Sequence, residues 1–494
     1  MRAVILRNRK HVVLFAVLAA AVLVAAIVAG CQSRAVRRPV AAADAPSIVV
    51  VVVDTLRADA VSAYGEVSGT TPNIDALAER GLRYQHAYAP APWSIPSHVS
   101  LFSGLGPERH GIGLRNRAVA PEELKMLAER LRDAGYETAG FVENTLISAP
   151  FGMEQGFDHF RARSLEQTVA DMYHPGSTDF SIAAEIEHWV AQRDKSRPFF
   201  VFVNLFDAHE PYPVRDENPF LPAGVTKERA SGVEQSLNRI CDRLPPAEEL
   251  AILRGLYLGD VAAADALVGK VHQLTTTAAG DRQLISVVTS DHGEHLGEHR
   301  LIDHSYTVYN PALRIPLIVS GVRDIDPAVI DARVTLTDVT ASVLQWANVP
   351  ADDIDGVPLP RGAVLGDEGR ALLSMLQDIA PPPDWPFEVV PLDENADAEA
   401  REHCGSEDRV FGEMVAVIRY PYKLNWYARY PAQLYNIEED PREEFDLASA
   451  HPDVVERLSS TAQQKIRAGQ LGGPEPVAID SKAREALRVL GYED

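Results

Sequence analysis

The sequence predicts an α/β protein with a doubly wound, mostly parallel sheet, helices on both faces, and a smaller C-terminal α+β subdomain. Three apolar runs predict buried strands of that sheet, at residues 48–53, 199–203 and 284–288. Short continuous apolar runs are typical of parallel strands that are covered on both faces. Helical segments separate these runs, and such alternation of strand and helix predicts the layered architecture.

Proline and glycine mark the ends of the predicted helices. Thr71-Pro72 begins one helix that Gly81 ends, and Pro121 begins another that Gly135 ends. Proline suits the first turn of a helix, and glycine suits the residue after the last turn.

Composition shifts divide the 494-residue chain into five predicted segments. Residues 1–31 form a signal peptide or membrane anchor and 32–46 a tether. The main α/β domain spans 47–370, a proline- and acid-rich insertion spans 371–404, and the C-terminal subdomain spans 405–494. Hydrophobic residues make up 46% of the chain and charged residues 24%, which is ordinary globular composition and excludes wholesale disorder.

The N-terminus has the pattern of an export segment. Basic residues precede an uncharged run at residues 12–29, which ends in Val28-Ala29-Gly30-Cys31. This tetrad resembles the end of a bacterial lipoprotein signal peptide, in which Cys31 carries the lipid. A retained transmembrane helix and a buried helix of the domain are the alternatives. The first two interpretations predict an exported protein of the periplasm or cell envelope, tethered to a membrane by lipid or helix.

Charge and cysteine content exclude several classes of protein. The formal net charge is −23, from 47 basic and 70 acidic residues, so we expect no nucleic-acid partner. The three cysteines, Cys31, Cys241 and Cys404, are too few for a disulfide-rich scaffold or a four-cysteine zinc site. With Cys31 lipidated, Cys241 and Cys404 remain, and sequence alone does not pair them.

Each predicted strand is followed by side chains that can bind a metal ion or exchange a proton. Asp54 and Thr55 follow the first strand, His209 follows the second, and Asp291 and His292 follow the third. Ligands of open α/β sheets bind beyond the carboxyl ends of the strands, so these side chains are expected to converge. Aspartate and histidine are ligands of divalent cations. A single aspartate there can equally be a helix cap, but three such strand ends favour a site.

Ser94 is a candidate nucleophile at the start of a predicted helix. Pro96 suits the first turn of that helix and Gly104 its end. Free N–H groups at a helix N-terminus favour an anion. A hydroxyl beside a metal ion can ionise and attack a tetrahedral sulfur or phosphorus centre, although an isolated serine there is more often a cap. His98 lies on the same helical face.

The segment 290–304 concentrates acidic and imidazole side chains. It holds four of the 15 histidines, yet it lacks the His-Glu-x-x-His spacing of zinc proteases and the spacing of an EF-hand. We interpret it as a polar active-site loop in which His295 and His299 take no part in catalysis.

Together these motifs resemble the sulfatase family of the alkaline phosphatase superfamily. The resemblance covers about residues 47–360, and a weaker similarity covers residues 419–446. The matching segments, in family order, are Val53-Asp54-Thr55-Leu56-Arg57, Thr71-Pro72-Asn73-Ile74-Asp75, Ser94-Ile95-Pro96-Ser97-His98, His110-Gly111, Asp207-Ala208-His209-Glu210-Pro211-Tyr212, Ser290-Asp291-His292-Gly293-Glu294 and Arg314-Ile315-Pro316-Leu317-Ile318.

The resemblance implies one divalent metal ion, with Asp54, Thr55, Asp291 and His292 at the ligand positions. Typical members have an aspartate pair where this chain has Asp54-Thr55, and Asp-Asn where it has Asp291-His292. These changes alter the ligand set, and they make Mn²⁺ or Zn²⁺ alternatives to Ca²⁺.

The resemblance also implies the catalytic roles. Ser94 is the expected nucleophile, unmodified or oxidised to formylglycine, and His98 replaces the arginine that follows this residue in typical sulfatases. His209 is expected to contact the transferred group or to protonate the leaving oxygen. His304 stands where the family often has an anion-binding lysine, and Asn144 stands where an anion-binding Lys-x-His is usual.

The resemblance therefore predicts a metal-dependent hydrolase that cleaves sulfate esters of a small molecule or glycan through a covalent intermediate on residue 94. The same site could act on phosphate diesters, phosphonates or phosphoethanolamine groups, as hydrolase or transferase, with unmodified Ser94. A third hypothesis is a noncatalytic envelope lipoprotein that keeps the fold as a binding module.

Overall fold

The structure is a computed structural model that describes residues 41–65, 69–113, 119–173, 180–236, 245–362, 370–379, 412–472 and 481. The predicted export segment, most of the predicted tether and all three cysteines lie outside these residues. Among the helices that are described, none combines the length and the apolar character needed to cross a membrane.

The main sheet contains nine strands within the described residues. They are β1 (Ser47–Val53), β2 (Gly81–Tyr88), β3 (Glu137–Val142), β4 (His159–Ala162), β5 (Phe199–Leu205), β6 (Leu284–Thr289), β9 (Arg314–Ile315), β10 (Leu317–Ser320) and β11 (Ala328–Thr335), while β7 (His295–Leu296) and β8 (Ile302–Asp303) form a separate hairpin. The spatial order is β11-β2-β10-β6-β1-β5-β3-β4, with β9 paired to β2. Only β9 and β10 pair antiparallel with their neighbours, which confirms the mostly parallel sheet.

The three apolar runs form the centre of this sheet, because β1 lies between β5 and β6 and pairs in parallel with both. Alternate residues of β1 enter two different cores. Val50 and Val52 pack on one face, Val49 and Val51 pack on the other, and all four are buried. Burying a valine side chain contributes about 1.5–3 kcal/mol, which explains why the run is continuously apolar rather than alternating.

Helices cover both faces of the sheet, as predicted. They are α1 (Pro72–Ala78), α2 (Ser94–Ser103), α3 (Pro107–His110), α4 (Leu127–Asp133), α5 (Leu165–Tyr173), α6 (Ile182–Gln192), α7 (Lys227–Ser236), α8 (Ala247–Ala279), α9 (Asn310–Leu313) and α10 (Leu336–Trp346). The 33-residue α8 packs with α1 and α6 on one face, and α2 packs with α10 on the other.

The helix predicted to begin at Pro121 begins later, at Leu127. Residues 121–124 form a turn instead, in which the Leu124 N–H donates to Pro121 O at 3.0 Å. The Met126 N–H donates to Glu129 Oε2 at 2.9 Å. Capping by the Glu129 carboxylate therefore defines the start of α4, because it satisfies an N–H that lacks a partner within the helix.

The C-terminal subdomain is a four-stranded antiparallel sheet covered by a helix, which confirms its α+β class. Its elements are β12 (Leu372–Ile379), β13 (Gly412–Arg419), β14 (Tyr422–Tyr427), β15 (Gln433–Asn436) and α11 (Pro452–Gly472). The predicted insertion at 371–404 is wrong at its start, where the buried side chains of Leu372 and Met375 belong to β12, which pairs with β13. The rest of that segment, from residue 380, lies outside the described residues.

A buried ion pair fastens this subdomain to the main domain. The Lys423 Nζ lies 2.7 Å from Glu443 Oε1, and both side chains are fully buried. Lys423 Nζ also donates to Asn310 Oδ1 at 3.0 Å, and the Asn310 N–H donates to Glu443. Because Asn310 begins α9 of the main domain, the pair fixes the loop that follows the predicted active-site segment against β14.

Candidate active site

Side chains that follow β1 and β6 meet at one edge of the sheet. Ligand atoms of Asp54, Asp291 and His292 all lie within 4.8 Å of one another, and all three residues are fully buried. Their convergence follows from the parallel pairing of β1 with β6, which brings the carboxyl ends of the two strands together.

The donor set of these three residues fits a divalent cation. His292 Nδ1 donates to Gly293 O at 2.9 Å, so Nε2 carries a lone pair. That atom lies 3.4 Å from Asp291 Oδ2 and 4.0 Å from Asp54 Oδ1. Neither carboxylate oxygen has a hydrogen-bond partner among the described residues. Three electron-rich atoms that face one another out of water suit a cation between them.

The second oxygen of each carboxylate is held by the protein. Asp54 Oδ2 accepts hydrogen bonds from Asn144 Nδ2 at 2.8 Å and from Asn204 Nδ2 at 3.2 Å. Asp291 Oδ1 accepts the His292 N–H at 2.9 Å and the Thr55 N–H at 3.3 Å. Each carboxylate is therefore oriented through one oxygen and presents the other to the cation position, as in metal sites with an ordered outer layer of hydrogen bonds.

Thr55, predicted as a ligand, is engaged differently. Its hydroxyl donates to Ala208 O at 2.7 Å and to Asp54 O at 2.8 Å, and its backbone adopts a φ of 54°. The hydroxyl thus joins the loop after β1 to the loop after β5. In this arrangement Thr55 supports the site through its backbone N–H to Asp291 and contributes no oxygen to the ligand cluster.

Burial perturbs the titration of the cluster. It raises the pKa of Asp291 and lowers the pKa of His292 to about 3, because a dry environment disfavours the charged form of each group. A cation at the cluster reverses the effect on Asp291, since an adjacent positive charge stabilises the carboxylate.

We expect a divalent cation to stabilise the folded protein. Saturating metal at about one hundred times Kd adds about 2.7 kcal/mol to the free energy of unfolding, which calorimetry detects as a rise in Tm. Asp291→Asn keeps the size of the side chain but removes its charge, so we expect the rise to disappear. Asp326→Asn, at an exposed position, is the matched control. An equal rise in Tm for the Asp291 variant and wild type would refute the ligand assignment.

Ser94 is the first residue of α2, as predicted, and its side chain is fully buried. Its Oγ lies 3.2 Å from His292 Nε2 and accepts a hydrogen bond from Asn144 Nδ2 at 3.2 Å. The hydroxyl therefore adjoins the cation position, and the positive end of the helix dipole favours negative charge on it.

His98, predicted as catalytic, supports the backbone of the candidate nucleophile. Its Nδ1 donates to Ser94 O at 2.9 Å and lies 3.6 Å from Asp291 Oδ2. Its ring also packs edge-on against Phe102 and Phe202. These contacts give His98 a positioning role at the start of α2.

Asn144 lies between the candidate nucleophile and a candidate ligand rather than alone in an anion site. Its single Nδ2 donates to both Asp54 and Ser94, while its Oδ1 accepts the Leu146 N–H at 2.9 Å. Asn204, which the sequence analysis missed, shares the task of holding Asp54. The available clue was an amide residue inside the otherwise apolar strand β5.

We expect Asn144→Ala to lower kcat about 10–100-fold, as the loss of an outer hydrogen bond to a metal ligand does elsewhere. The physical reason is that Ser94 Oγ and Asp54 Oδ2 lose one shared donor. Steady-state kinetics measure the effect. Gln345→Ala, which removes an exposed amide side chain from α10, is the control. A change in KM alone would assign Asn144 to substrate binding instead.

Two histidines extend the site beyond the cluster. The ring of His304 lies 4.5 Å from that of His292, and the ring of His209 lies 5.0 Å from that of His304. His209 stacks on Phe206 at 4.2 Å, and its Nδ1 donates to Glu210 O at 2.6 Å. Burial and the neighbouring His304 lower the pKa of His209 to about 4. At neutral pH His209 is therefore uncharged and carries its proton on Nδ1.

Acidic residues orient His304. Its Nδ1 lies 2.7 Å from Asp303 Oδ1 and 3.0 Å from Glu294 Oε1, and Tyr212 donates to the other oxygen of Glu294. Sequence alone does not assign these acidic residues a role, although Glu294 belongs to the family-like segment 290–294. Two carboxylates at one ring nitrogen favour a positively charged imidazole, which suits the anion-binding position predicted for His304.

The remaining two histidines of the segment contact neighbouring side chains. His295 Nε2 hydrogen-bonds Thr307 Oγ1 at 2.9 Å, and His299 stacks on Tyr309 at 3.8 Å between ring centroids.

Comparison with known proteins agrees with the fold. A family model described as Sulfatase matches residues 46–349. An N-acetylglucosamine-6-O-sulfatase of Bacteroides thetaiotaomicron is 23% identical over 510 residues, covering 85% of this chain and 86% of the relative. A choline-sulfatase of Rhizobium meliloti is 23% identical over 502 residues, covering 91% of each chain.

Solved structures share the fold at low sequence identity. A phosphonate monoester hydrolase of Agrobacterium radiobacter has a TM-score of 0.63 and 19% identity, over 86% of this chain and 96% of that one. A protein solved in complex with its substrate D-glucosamine-2-N,6-O-disulfate has a TM-score of 0.65 and 18% identity, over 87% and 99% of the two chains.

Proposed function

The chain belongs to the sulfatase family of the alkaline phosphatase superfamily, and on that premise we propose that it is a metal-dependent sulfuric ester hydrolase with residue 94 as nucleophile. One observation carries the proposal. The buried Ser94 hydroxyl lies 3.2 Å from His292 Nε2, beside two carboxylate oxygens that lack hydrogen-bond partners among the described residues. A hydroxyl, a helix N-terminus and a cation position at one point form an arrangement that suits attack on an anionic ester.

In the first step the Ser94 hydroxyl loses its proton to solvent, and the resulting Oγ alkoxide attacks the ester sulfur in line. The Oγ–S bond forms as the bond between sulfur and the ester oxygen breaks, and the alcohol leaves. When bound, a divalent cation supplies positive charge that lowers the pKa of the neighbouring hydroxyl and offsets charge on the sulfuryl oxygens. Asn144 Nδ2 holds Oγ in place at 3.2 Å.

His304 and His209 take different proton transfers, one in each step of the reaction. His304, which contacts the carboxylates of Glu294 and Asp303, is suited to protonate the leaving oxygen. His209 has a pKa of about 4 and is neutral at physiological pH, so it is suited to accept a proton from the water of the second step. This assignment differs from the expectation that His209 protonates the leaving oxygen, because its burial disfavours the charged ring.

The chemical state of residue 94 decides how the covalent intermediate breaks down. A formylglycine releases sulfate by elimination, whereas an unmodified serine ester needs attack by water on sulfur. The mass of the peptide that carries residue 94, in protein from its natural host, distinguishes the two, because formylglycine lacks two hydrogens of serine. His98, in place of the usual arginine, supports the unmodified form.

We also propose the metal, the substrate class and the location. The His292 nitrogen ligand favours Zn²⁺ or Mn²⁺ over Ca²⁺, which prefers oxygen. Two relatives, an N-acetylglucosamine-6-O-sulfatase and a choline-sulfatase, support a glycan or small-molecule sulfate as the substrate. The tetrad ending in Cys31 supports an exported protein with a lipid tether. If the natural host, supplied with labelled fatty acid, attached no label to Cys31, the proposed lipid anchor would be contradicted.

Hydrolysis in water labelled with heavy oxygen tests the proposed attack at sulfur. With an alkyl sulfate as substrate, we expect the label in the released sulfate and none in the alcohol. Label in the alcohol would mean cleavage of the carbon–oxygen bond and would overturn the mechanism. The absence of any sulfate release would overturn the proposed function.

A further inference from the structure

A cavity of about 900 Å³ lies between the main domain and the C-terminal sheet. Its wall includes Arg57, Arg254 of α8, Arg300 of the β7–β8 hairpin, and Gln433 and Tyr435 of β15. None of the residues proposed for catalysis lines the part of this cavity formed by described residues. The β7–β8 hairpin contributes Arg300 to this wall and ends at Asp303, next to the proposed catalytic residue His304.

Gln433 presents hydrogen-bond donors to the cavity. The hydroxyls of Tyr309 and Tyr427 donate to its Oε1 at 2.7 and 2.8 Å, which fixes the orientation of the amide. No described residue accepts a hydrogen bond from Gln433 Nε2, although the side chain is only 9% exposed. Gln433 lines the cavity with its oxygen already engaged by the two tyrosines, so its NH₂ group can donate to an acceptor bound there.

Arg300 contributes a positive charge to the same cavity. Its Nε is buried and has no hydrogen-bond partner among the described residues. The backbone at His299 and Arg300 has φ values of 54° and 63°, the left-handed region that non-glycine residues rarely adopt. Such backbone conformations concentrate where a side chain must be held for binding.

The acidic residues of the wall leave these donors available. Asp59 and Glu298 pair with one arginine at 2.7 and 2.8 Å, and Glu443 pairs with a buried lysine at 2.7 Å. Glu444 and Asp446 are exposed at the rim. The interior therefore offers unsatisfied N–H donors and a guanidinium charge, which is the chemistry that binds an oxyanion.

We propose that the cavity binds a sulfate, phosphate or carboxylate group through Arg300 and Gln433. The group belongs either to a second anionic substituent of the substrate or to a free anion. The first source rests on the proposed function, since it requires a sulfated substrate with another charged group. Binding of a free anion does not depend on the proposed function.

Kinetics with a matched pair of substrates test the first source. Full-length wild type is compared with Arg300→Gln on glucosamine 6-sulfate and on glucosamine 2-N,6-O-disulfate. Loss of a charged hydrogen bond is expected to raise KM about tenfold or more for the disulfate and to leave the monosulfate unchanged. Arg323→Gln, at an exposed position outside the cavity, is the control. Gln433→Glu keeps the acceptor for both tyrosines but repels an anion, so it should act like Arg300→Gln.

Calorimetric titration with inorganic sulfate tests the second source without turnover. Wild type is expected to bind one more sulfate ion than either Arg300→Gln or Gln433→Glu. A KM effect confined to the disulfate assigns the site to the substrate, and a loss of sulfate stoichiometry alone assigns it to a free anion. Variants that match wild type in both assays overturn the proposal. Absence of turnover in wild type would refute the proposed function, while the titration would still test the cavity.

Discussion

Ser94→Ala is expected to lower kcat by on the order of 10³-fold or more, because the variant lacks the atom that forms the covalent bond. The fold should remain intact. The hydroxyl makes two hydrogen bonds at 3.2 Å, and such bonds contribute only about 1 kcal/mol each to stability. Steady-state kinetics measure kcat, and thermal unfolding measures the change in stability.

Ser100→Ala provides the matched control for this variant. Ser100 is also buried in α2, and its Oγ hydrogen-bonds His110 Nε2 at 3.0 Å, away from the cation position. We expect it to lose a comparable amount of stability and to keep the wild-type kcat. A Ser94→Ala variant that retained a tenth or more of kcat would remove residue 94 from the nucleophilic role.

Lys423→Met is expected to produce the largest loss of stability, about 3–5 kcal/mol, because it leaves the fully buried Glu443 carboxylate without its counter-ion. Burial lowers the pKa of Lys423, because desolvation disfavours the charged ammonium. The ion pair with Glu443 opposes this effect. Chemical denaturation measures the free energy of unfolding. Lys125→Met is the control, since the Lys125–Asp133 pair is exposed and contributes about 0–1 kcal/mol.

A double-mutant cycle separates the pair from its surroundings. Replacing both Lys423 and Glu443 by apolar residues removes the unpaired charge, so we expect the double variant to be more stable than Lys423→Met alone. Additive losses from the two single replacements would show that the two charges do not interact, contrary to the structure.

The parts of the site that could be predicted are those encoded by short sequence patterns. The continuous apolar runs predict β1, β5 and β6, and the residues just after β1 and β6 supply Asp54, Asp291 and His292. Ser94 could be placed because proline and glycine delimit α2. In each case the information lies within a few residues of the chain, where backbone preference and burial act together.

The parts that could not be predicted depend on pairs of residues distant in sequence. Asn204 reads as one polar residue inside a strand, and only the pairing of β1 with β5 brings it to Asp54. Glu443 reads as one acid in an acidic stretch, and its burial against Lys423 requires the folded subdomain. The uncharged state of His209 likewise follows from its burial, which sequence does not report.

The ratio of kcat/KM for nitrophenyl sulfate to that for a matched nitrophenyl phosphodiester, measured with each of Ca²⁺, Mn²⁺ and Zn²⁺, distinguishes a sulfuric ester hydrolase from a phosphodiester hydrolase. A sulfuric ester hydrolase should prefer the sulfate by about tenfold or more, which corresponds to about 1.4 kcal/mol in transition-state binding. A preference of that size for the phosphodiester would contradict the proposed sulfuric ester hydrolase activity. It would assign the same cluster, with unmodified Ser94, to phosphodiester or phosphonate hydrolysis.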